Sequence, residues 1–522
     1  MRYEEKTTHR RRAAILRPHT SYLIPHTYFR AVIAVLIAAL ALASACSAPA
    51  RKKAPAALAE RPNVLFISVD SLRADHLGCY GYSRRTSPNI DQLAHEGVRY
   101  ARALAAAPWT LPSHMAMMTG QEPGVLGVDI GSFKLAENAP TIAKVLFDRG
   151  YRTAAVVEAP YLRKSFGFGQ GFESYDDELS EAGDVHKFKG GAAAVYRALK
   201  LIRERRGERW FVFLHFWDVH YDYLPPAPFQ RAFVDPQYRG AFDMNDWERN
   251  RDFKPGMDPA DFAYAVAQYD GGIAFVDDQL GRLFAALKES GEWAQTAVIL
   301  TSDHGDEFLD HGQKGHGHSV FNELLHVPLI VKAPHLGDAI RHRVPQDLTV
   351  DCPVGLIDIF PTIAELAGAT GGQSSTAGDQ RAADSLGNPQ SAIRNPSSLL
   401  ALARNPKSCP ADREFFAETY QSNPDKFHDP EIGREMAIEK AGWKYCDRRD
   451  SPRRQLLFHV AVDPAERDDC LAREPDKADE MRALLRAHAA RNLALRNASR
   501  FFDEPTLDRT AALRLKQLGY VR

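Results

Sequence analysis

Asp70 and the pair Asp303-His304 are the residues of this chain best suited to hold a cation, and Thr110 is the hydroxyl a cation could activate. Asp70 closes the apolar run Val64-Leu65-Phe66-Ile67-Ser68-Val69, and Thr301-Ser302-Asp303-His304-Gly305 closes a second one. An Asp after a strand serves equally well as a helix cap. Asp303-His304 tips the balance, because histidine caps poorly and is costly to bury without a partner. Between the two runs lies Trp109-Thr110-Leu111-Pro112-Ser113-His114. A threonine hydroxyl is a weak nucleophile at neutral pH, and a metal within reach would activate it, which makes Thr110 a candidate ligand as well as a candidate nucleophile. A helix starting at Pro112 or Ser113 would add backbone N–H groups and a positive dipole end for an anion. Metal ligands together with such a hydroxyl point to hydrolysis or group transfer.

Histidines are the second signal. His215 and His220 flank Phe216-Trp217-Asp218-Val219, and His311, His316 and His318 crowd a glycine-containing loop soon after His304. A histidine beside a metal pair can donate to a non-bridging oxygen or protonate a leaving group. Others in this set are expected to be ordinary surface residues.

These residues need elements that bring them together. The runs ending at Asp70 and Asp303 are short, apolar and β-branched, as buried parallel strands are. Further strands are expected at 153–157, 210–216, 297–301 and 328–332, and Phe275 to Leu287 has the apolar spacing of a core helix. Strands alternating with helices imply an α/β fold, a mostly parallel sheet covered on both faces. Ligands collect at the C-terminal edge of such sheets. Residues 371–400 are rich in Gly, Ser, Ala, Gln and Asn and read as a flexible connection between a domain at 62–370 and a smaller C-terminal α+β subdomain at 401–522. Asp476 to Leu495 is an amphipathic helix candidate.

At 522 residues the chain can bury a large core, and its formal net charge of -1 offers no basic stripe for nucleic acid. The first 46 residues read differently. Arginines 10, 11, 12, 17 and 30 precede the apolar run Ala31 to Ala43, which is followed by Ser44-Ala45-Cys46. This is the pattern of an export signal, and a cysteine directly after small residues resembles a bacterial lipoprotein signal. The expectation is an exported, periplasmic or cell-envelope protein, membrane-anchored through a lipid on Cys46 or by the uncleaved signal. Residues 47–61 then form an Ala/Pro/Lys-rich tether. Five other cysteines lack Cys-x-x-Cys spacing, which argues against a zinc ribbon. Three of them fall in the last quarter, where one disulfide is expected, its pairing not readable.

The ordered series of motifs resembles the sulfatase family of the alkaline phosphatase superfamily. It runs from Pro62-Asn63-Val64 to Asp70-Ser71-Leu72-Arg73, then Thr86-Ser87-Pro88-Asn89-Ile90-Asp91, Pro112-Ser113-His114 and Thr119-Gly120. Tyr269-Asp270-Gly271, Asp277-Asp278-Gln279-Leu280-Gly281, Asp303-His304-Gly305, His316-Gly317-His318-Ser319 and His326-Val327-Pro328 follow, with Phe458-His459 to Glu466 as a late strand and turn. The resemblance implies an alkaline-phosphatase-like α/β sandwich and one divalent metal bridging nucleophile and substrate. By position it implies Asp70, Asp303, His304 and Thr110 as ligands and Thr110 as nucleophile. It also implies His220 as a catalytic histidine, and His316, with His114 and His318 beside it, as contacts to the anion. Lysine stands at the position of His316 in many true sulfatases.

Departures from the pattern narrow the chemistry. True sulfatases carry Cys or Ser followed by x-Pro-x-Arg and oxidise that first residue to formylglycine. Here the run is Thr110-Leu111-Pro112-Ser113-His114, and a threonine would oxidise to a ketone. Ser71 stands for the second Asp of the usual pair, and His304 for a frequent Asn. These features resemble the relatives that handle phosphodiesters, phosphonate esters, or phosphoglycerol and phosphoethanolamine transfer. Mixed N/O ligation favours zinc or manganese, with calcium or magnesium as alternatives. The expected function is therefore hydrolysis of a sulfate or, by chemistry, a phosphate or phosphonate ester through a covalent Thr110 intermediate, with an anionic ester as partner and no protein partner. A transferase using the same intermediate and a non-catalytic lipid-anchored binding protein are the competing readings.

Overall fold

The computed structural model describes residues 61–128, 134–181, 190–244, 250–334, 345–369, 397–410, 413–420, 434–448 and 454–503. The export segment, Cys46, the tether up to residue 60 and most of the connection at 371–400 lie outside them. Among the described residues no helix is long and apolar enough to cross a membrane.

Eight strands form the central sheet: β1 Asn63–Val69, β2 Val98–Tyr100, β3 Arg152–Val156, β4 Ser174–Asp176, β5 Trp210–Phe216, β6 Thr296–Ser302, β7 Leu329–Lys332 and β8 Leu348–Val350. Their spatial order is β8-β2-β7-β6-β1-β5-β3-β4. β1 is central, parallel to β5 on one side and to β6 on the other. β7 runs antiparallel to both its neighbours, so the sheet is mostly parallel, as the alternating pattern implies.

The unbroken apolar character of β1 follows from burial on both faces. Val64 and Phe66 point into one core, while Leu65, Ile67 and Val69 point into the other. On the first face lies the helix Thr110–Thr119, through Leu111, Met115, Met117 and Met118. On the second lies the 31-residue helix Pro259–Glu289, which contains the expected core helix. The short helix begins at Thr110 and not at Pro112 or Ser113. Pro112 is accommodated inside the first turn because N–H groups there have no intrahelical acceptor, so the ring removes nothing.

A second, four-stranded antiparallel sheet is built from β9 Glu414–Tyr420, β10 Arg434–Lys440, β11 Trp443–Arg448 and β12 Arg454–Phe458. One face packs Met436, Ile438, Tyr445 and Leu457 against Ala478, Met481 and Leu485 of the helix Pro475–Ser499. The other face contributes Ala417, Ala437, Cys446 and Phe458 to the core of the large sheet. The two sheets thus share apolar surface and fold as one body.

The disulfide joins Cys409 to Cys352, which precedes the last quarter of the chain. Cys446 is buried inside β11 and stays free, as do Cys79 and Cys470. Because the bridge closes a loop with a sequence separation of 57, loop-closure entropy assigns it about 4 kcal/mol. Replacing both cysteines by alanine should lower the unfolding midpoint accordingly, which differential scanning calorimetry with and without reductant would measure. An unchanged midpoint would show that the bridge does not form.

Candidate active site

The register of the three central strands builds the site. Val69 of β1 pairs with Ser302 of β6 and with Phe216 of β5. Asp70 and Asp303 therefore emerge side by side at the C-terminal edge, with His215 on the last turn of β5. The backbone turns sharply after Asp70: Ser71 sits at φ 58, a left-handed conformation uncommon for a non-glycine residue. Three contacts hold it there. Its N–H donates to Asp303 Oδ1 (3.2 Å), its hydroxyl donates to Asp70 Oδ1 (3.0 Å), and its carbonyl accepts from the Tyr269 hydroxyl (2.7 Å). The strained turn is thus over-determined by the groups it serves.

Asp70, Thr110, Asp303 and His304 are all fully buried. His304 Nε2 lies 3.3 Å from Asp303 Oδ2 and 3.7 Å from Asp70 Oδ1. His304 Nδ1 faces the Gly305 carbonyl at 3.0 Å and must donate to it, which leaves a lone pair on Nε2. Neither Asp303 Oδ2 nor His304 Nε2 has a hydrogen-bond partner. Two acceptor atoms without a donor thus face Asp70 Oδ1, whose one donor is the Ser71 hydroxyl, in a dry environment, an arrangement that costs free energy unless a cation occupies the centre. Burial lifts Asp70 to about 7, against the opposing pull of His304 and the Ser71 and Thr110 hydroxyls. This donor set fits a divalent metal with mixed N/O ligands. The Thr110 hydroxyl, at the first residue of its helix, donates to Asp70 Oδ2 at 3.4 Å. The four residues singled out for chemistry are therefore neighbours in space.

The histidines divide into distinct groups. His304, His316 and His220 form a chain of rings, with centroids 4.2 Å apart for the first pair and 4.9 Å for the second. His220 also stacks on Trp217 at 3.6 Å. His114 lies beneath the site: its Nδ1 donates to the Thr110 carbonyl (2.9 Å), and its Nε2 takes the Ser68 hydroxyl (2.9 Å). The Nδ1 bond lies within the helix and the Nε2 bond ties the helix to β1, and burial holds the ring neutral, with its pKa down at about 3. His318 is on Glu307 (2.8 Å), and His311 bonds Glu323 (2.7 Å) at the boundary with the second sheet.

Two further residues belong to this cluster, His215, named among the histidines but ranked below His220 and His316, and Asp306, which was not among the sequence candidates. His215 is fully buried, its Nε2 is 3.4 Å from Asp70 Oδ2, and burial lowers its pKa to about 4. Asp306 bonds His316 and Tyr223. His215 has a sequence signal, its place at the end of a buried strand beside that of Asp70. Asp306, four residues into a Gly-containing turn, has none beyond its proximity to His304. Asp306, His316 and His304 also form a group with metal-ligand spacing. However, Asp306 and His316 already satisfy one another, and the single lone pair of His304 points to Asp70 and Asp303.

A cavity of about 330 Å³ lies elsewhere, between the second sheet and the segments around Ala105, Leu356 and Ala401. Its lining is mainly apolar, and its charged groups are paired with one another or with neighbours, as in Asp358–Arg413, Glu439–Arg102 and Lys444–Glu466. Nothing there resembles a reaction centre.

Comparison with known proteins agrees with this fold. A family model described as Sulfatase matches residues 62–369. Human iduronate 2-sulfatase is 26% identical over 404 residues, covering 63% of this chain and 73% of that protein. The uncharacterized sulfatase YidJ of Escherichia coli is 25% identical over 350 residues, covering 59% of this chain and 68% of its own length. Among solved structures, one determined with its substrate D-glucosamine-2-N,6-O-disulfate superposes with a TM-score of 0.63 at 19% identity, covering 83% of this chain and 98% of that one. The phosphonate monoester hydrolase of Agrobacterium radiobacter superposes with a TM-score of 0.60 at 22% identity, covering 86% of this chain and 100% of that one.

Proposed function

The chain belongs to the sulfatase family, and on that premise we propose that it cleaves a singly charged phosphate or phosphonate ester through a covalent ester on Thr110. Family membership makes it a hydrolase of sulfate or phosphate esters. The observation that carries the finer reading is the threonine itself, whose hydroxyl reaches Asp70 Oδ2 at 3.4 Å where the formylglycine-forming residue of a true sulfatase would stand. An alkyl sulfate on threonine is hard to release without an aldehyde hydrate to expel it, whereas a phosphoryl or phosphonyl ester can be attacked by water at phosphorus.

Asp70, Asp303 and His304 would hold one divalent ion, which when bound balances the two carboxylates and polarises the ester oxygens. Thr110 Oγ1 attacks phosphorus in line, with Asp70 Oδ2 as the nearest acceptor for its proton. The first turn of the helix directs N–H groups at the anionic centre. His316 meets a non-bridging oxygen, and His220 hands a proton to the departing alkoxide. Water then attacks phosphorus and gives a proton to His220, the bond from phosphorus to Thr110 Oγ1 breaks, and Asp70 returns its proton to that oxygen. The structural likeness to a phosphonate monoester hydrolase and the sequence likeness to sulfate ester hydrolases both fit this scheme.

Charge restricts the substrate. Among the described residues neither Lys nor Arg hydrogen-bonds or ion-pairs with Asp70, Thr110, Asp303 or His304, and Lys314, in the loop that carries His316, donates to the Asn250 carbonyl. Burial holds His316 near pKa 3. With so little positive charge in reserve, the site suits one negative charge and not two. Metal-loaded protein assayed on matched aryl esters should turn over phosphodiesters and phosphonate monoesters at least about tenfold faster than phosphate monoesters, by kcat/KM. Preference for the doubly charged monoester, or for the sulfate, would refute the proposal.

A further inference from the structure

We propose that Asp306 is a positioning residue that fixes the ring of His316 with its proton on Nδ1, so that Nε2 is the nitrogen presented to the ester. This rests on the reading of His316 as an anion contact given above. Asp306 is fully buried, and each of its carboxylate oxygens has its own short donor. His316 Nδ1 lies 2.6 Å from Oδ1, and the Tyr223 hydroxyl donates to Oδ2 at 2.6 Å. Its backbone carbonyl accepts from the Arg73 guanidinium at 3.0 Å, which Asp75 and Asp310 hold in turn at 2.8 Å. Tyr223 is itself packed edge-on to Tyr269, with centroids 5.4 Å apart, and against Phe308 at 5.3 Å. The carboxylate therefore has little freedom to rotate.

An ionised Asp306 can only accept from a neutral imidazole, and with the Tyr223 hydroxyl already donating to Oδ2 the contact to Oδ1 places the proton of the ring on Nδ1. The backbone adds to the constraint. Gly315 and Gly317 flank His316 at φ 73 and φ 84, left-handed conformations that a side chain would strain. The Gly317 N–H is tied to the Pro108 carbonyl at 2.9 Å, two residues ahead of Thr110. The ring is thereby set between the nucleophile's approach loop and His304. Without Asp306 the imidazole could turn over or move its proton to Nε2, and an ester oxygen would meet the wrong edge of the ring. The arrangement gives a neutral ring the fixed direction that a lysine ammonium does not need.

The test uses the full, metal-loaded chain labelled with nitrogen-15 in histidine. Long-range proton–nitrogen correlation spectra should show His316 protonated on Nδ1, the signal being assigned by its loss in His316→Gln. Asp306→Leu should move that proton to Nε2 or average the two forms. It should also lower kcat about 10–100-fold, with KM and metal content unchanged. The double variant Asp306→Leu/His316→Gln should be no slower than His316→Gln alone, because one residue acts through the other. Tyr223→Phe, the milder change, should keep the Nδ1 proton and lower kcat by less. A His316 proton on Nε2 in the unaltered protein, loss of an ion in Asp306→Leu, or penalties that multiply in the double variant would overturn the assignment. The spectrum reads the ring whether or not any ester is turned over, so it separates this inference from the proposed reaction.

Discussion

Thr110→Ala should lower kcat/KM on the best ester substrate by at least about a thousandfold while the protein stays folded and keeps its metal. The hydroxyl is the only reacting group that the substitution removes. Asp70, Asp303 and His304 retain their mutual contacts, and the helix Thr110–Thr119 keeps its packing through Leu111 and Met115. Thr110→Ser keeps the oxygen and loses only a methyl group, so it should retain much of the rate. Steady-state kinetics with metal analysis would measure both variants. Acid quenching during turnover, followed by peptide mass spectrometry, should find the phosphoryl or phosphonyl group on Thr110. An alanine variant of undiminished rate would leave the covalent scheme without a nucleophile.

Asp303→Ala should abolish both metal content and activity. Asp303 contributes twice. Its Oδ2 faces His304 Nε2 at 3.3 Å across the candidate metal centre, and its Oδ1 receives the N–H groups of Ser71 (3.2 Å) and His304 (3.0 Å). Removing the side chain takes away a ligand and releases the strained turn that carries Asp70. Asp303→Asn preserves an oxygen for those N–H groups and discards the charge, so it should bind metal more weakly yet unfold near the same temperature. The unaltered protein should hold one ion per chain, lose activity to a chelator, and regain it with zinc or manganese. Elemental analysis before and after dialysis would decide this. Full activity after complete metal removal would overturn the metal assignment.

Much of the fold was legible because its strands are buried on both faces. Such strands must be apolar throughout, and the runs ending at Asp70 and Asp303 carry no alternation to obscure them. The bounds 210–216 match β5 residue for residue, and the other expected strands differ from the observed ones by a residue or so at their ends. The start of the helix at Thr110 was misplaced because Pro112 reads as a first-position proline when it is the third helical residue. The disulfide partner was equally hidden. Nothing local to Cys352 marks its approach to Cys409, since their contact depends on where the second sheet docks.

Residue chemistry within a short segment was enough to mark Asp70, Thr110, Asp303 and His304, because metal-ligand and hydroxyl groups at strand ends are unusual enough to stand out alone. What the histidines do depended on folding. His114 looked like an anion contact and is turned from its helix towards β1 with Ser68 and Thr110 as its partners, while His215 is set against Asp70. Asp306 became a neighbour of Tyr223, 83 positions away, only once the loop after β6 had closed over the sheet edge. Hydrogen-bond partners so far apart leave no periodic trace in a chain, because their meeting is a property of strand order and register. The residue types suited to bind a cation and attack an ester could thus be picked out from the chain alone, whereas the direction in which each imidazole points was settled by packing.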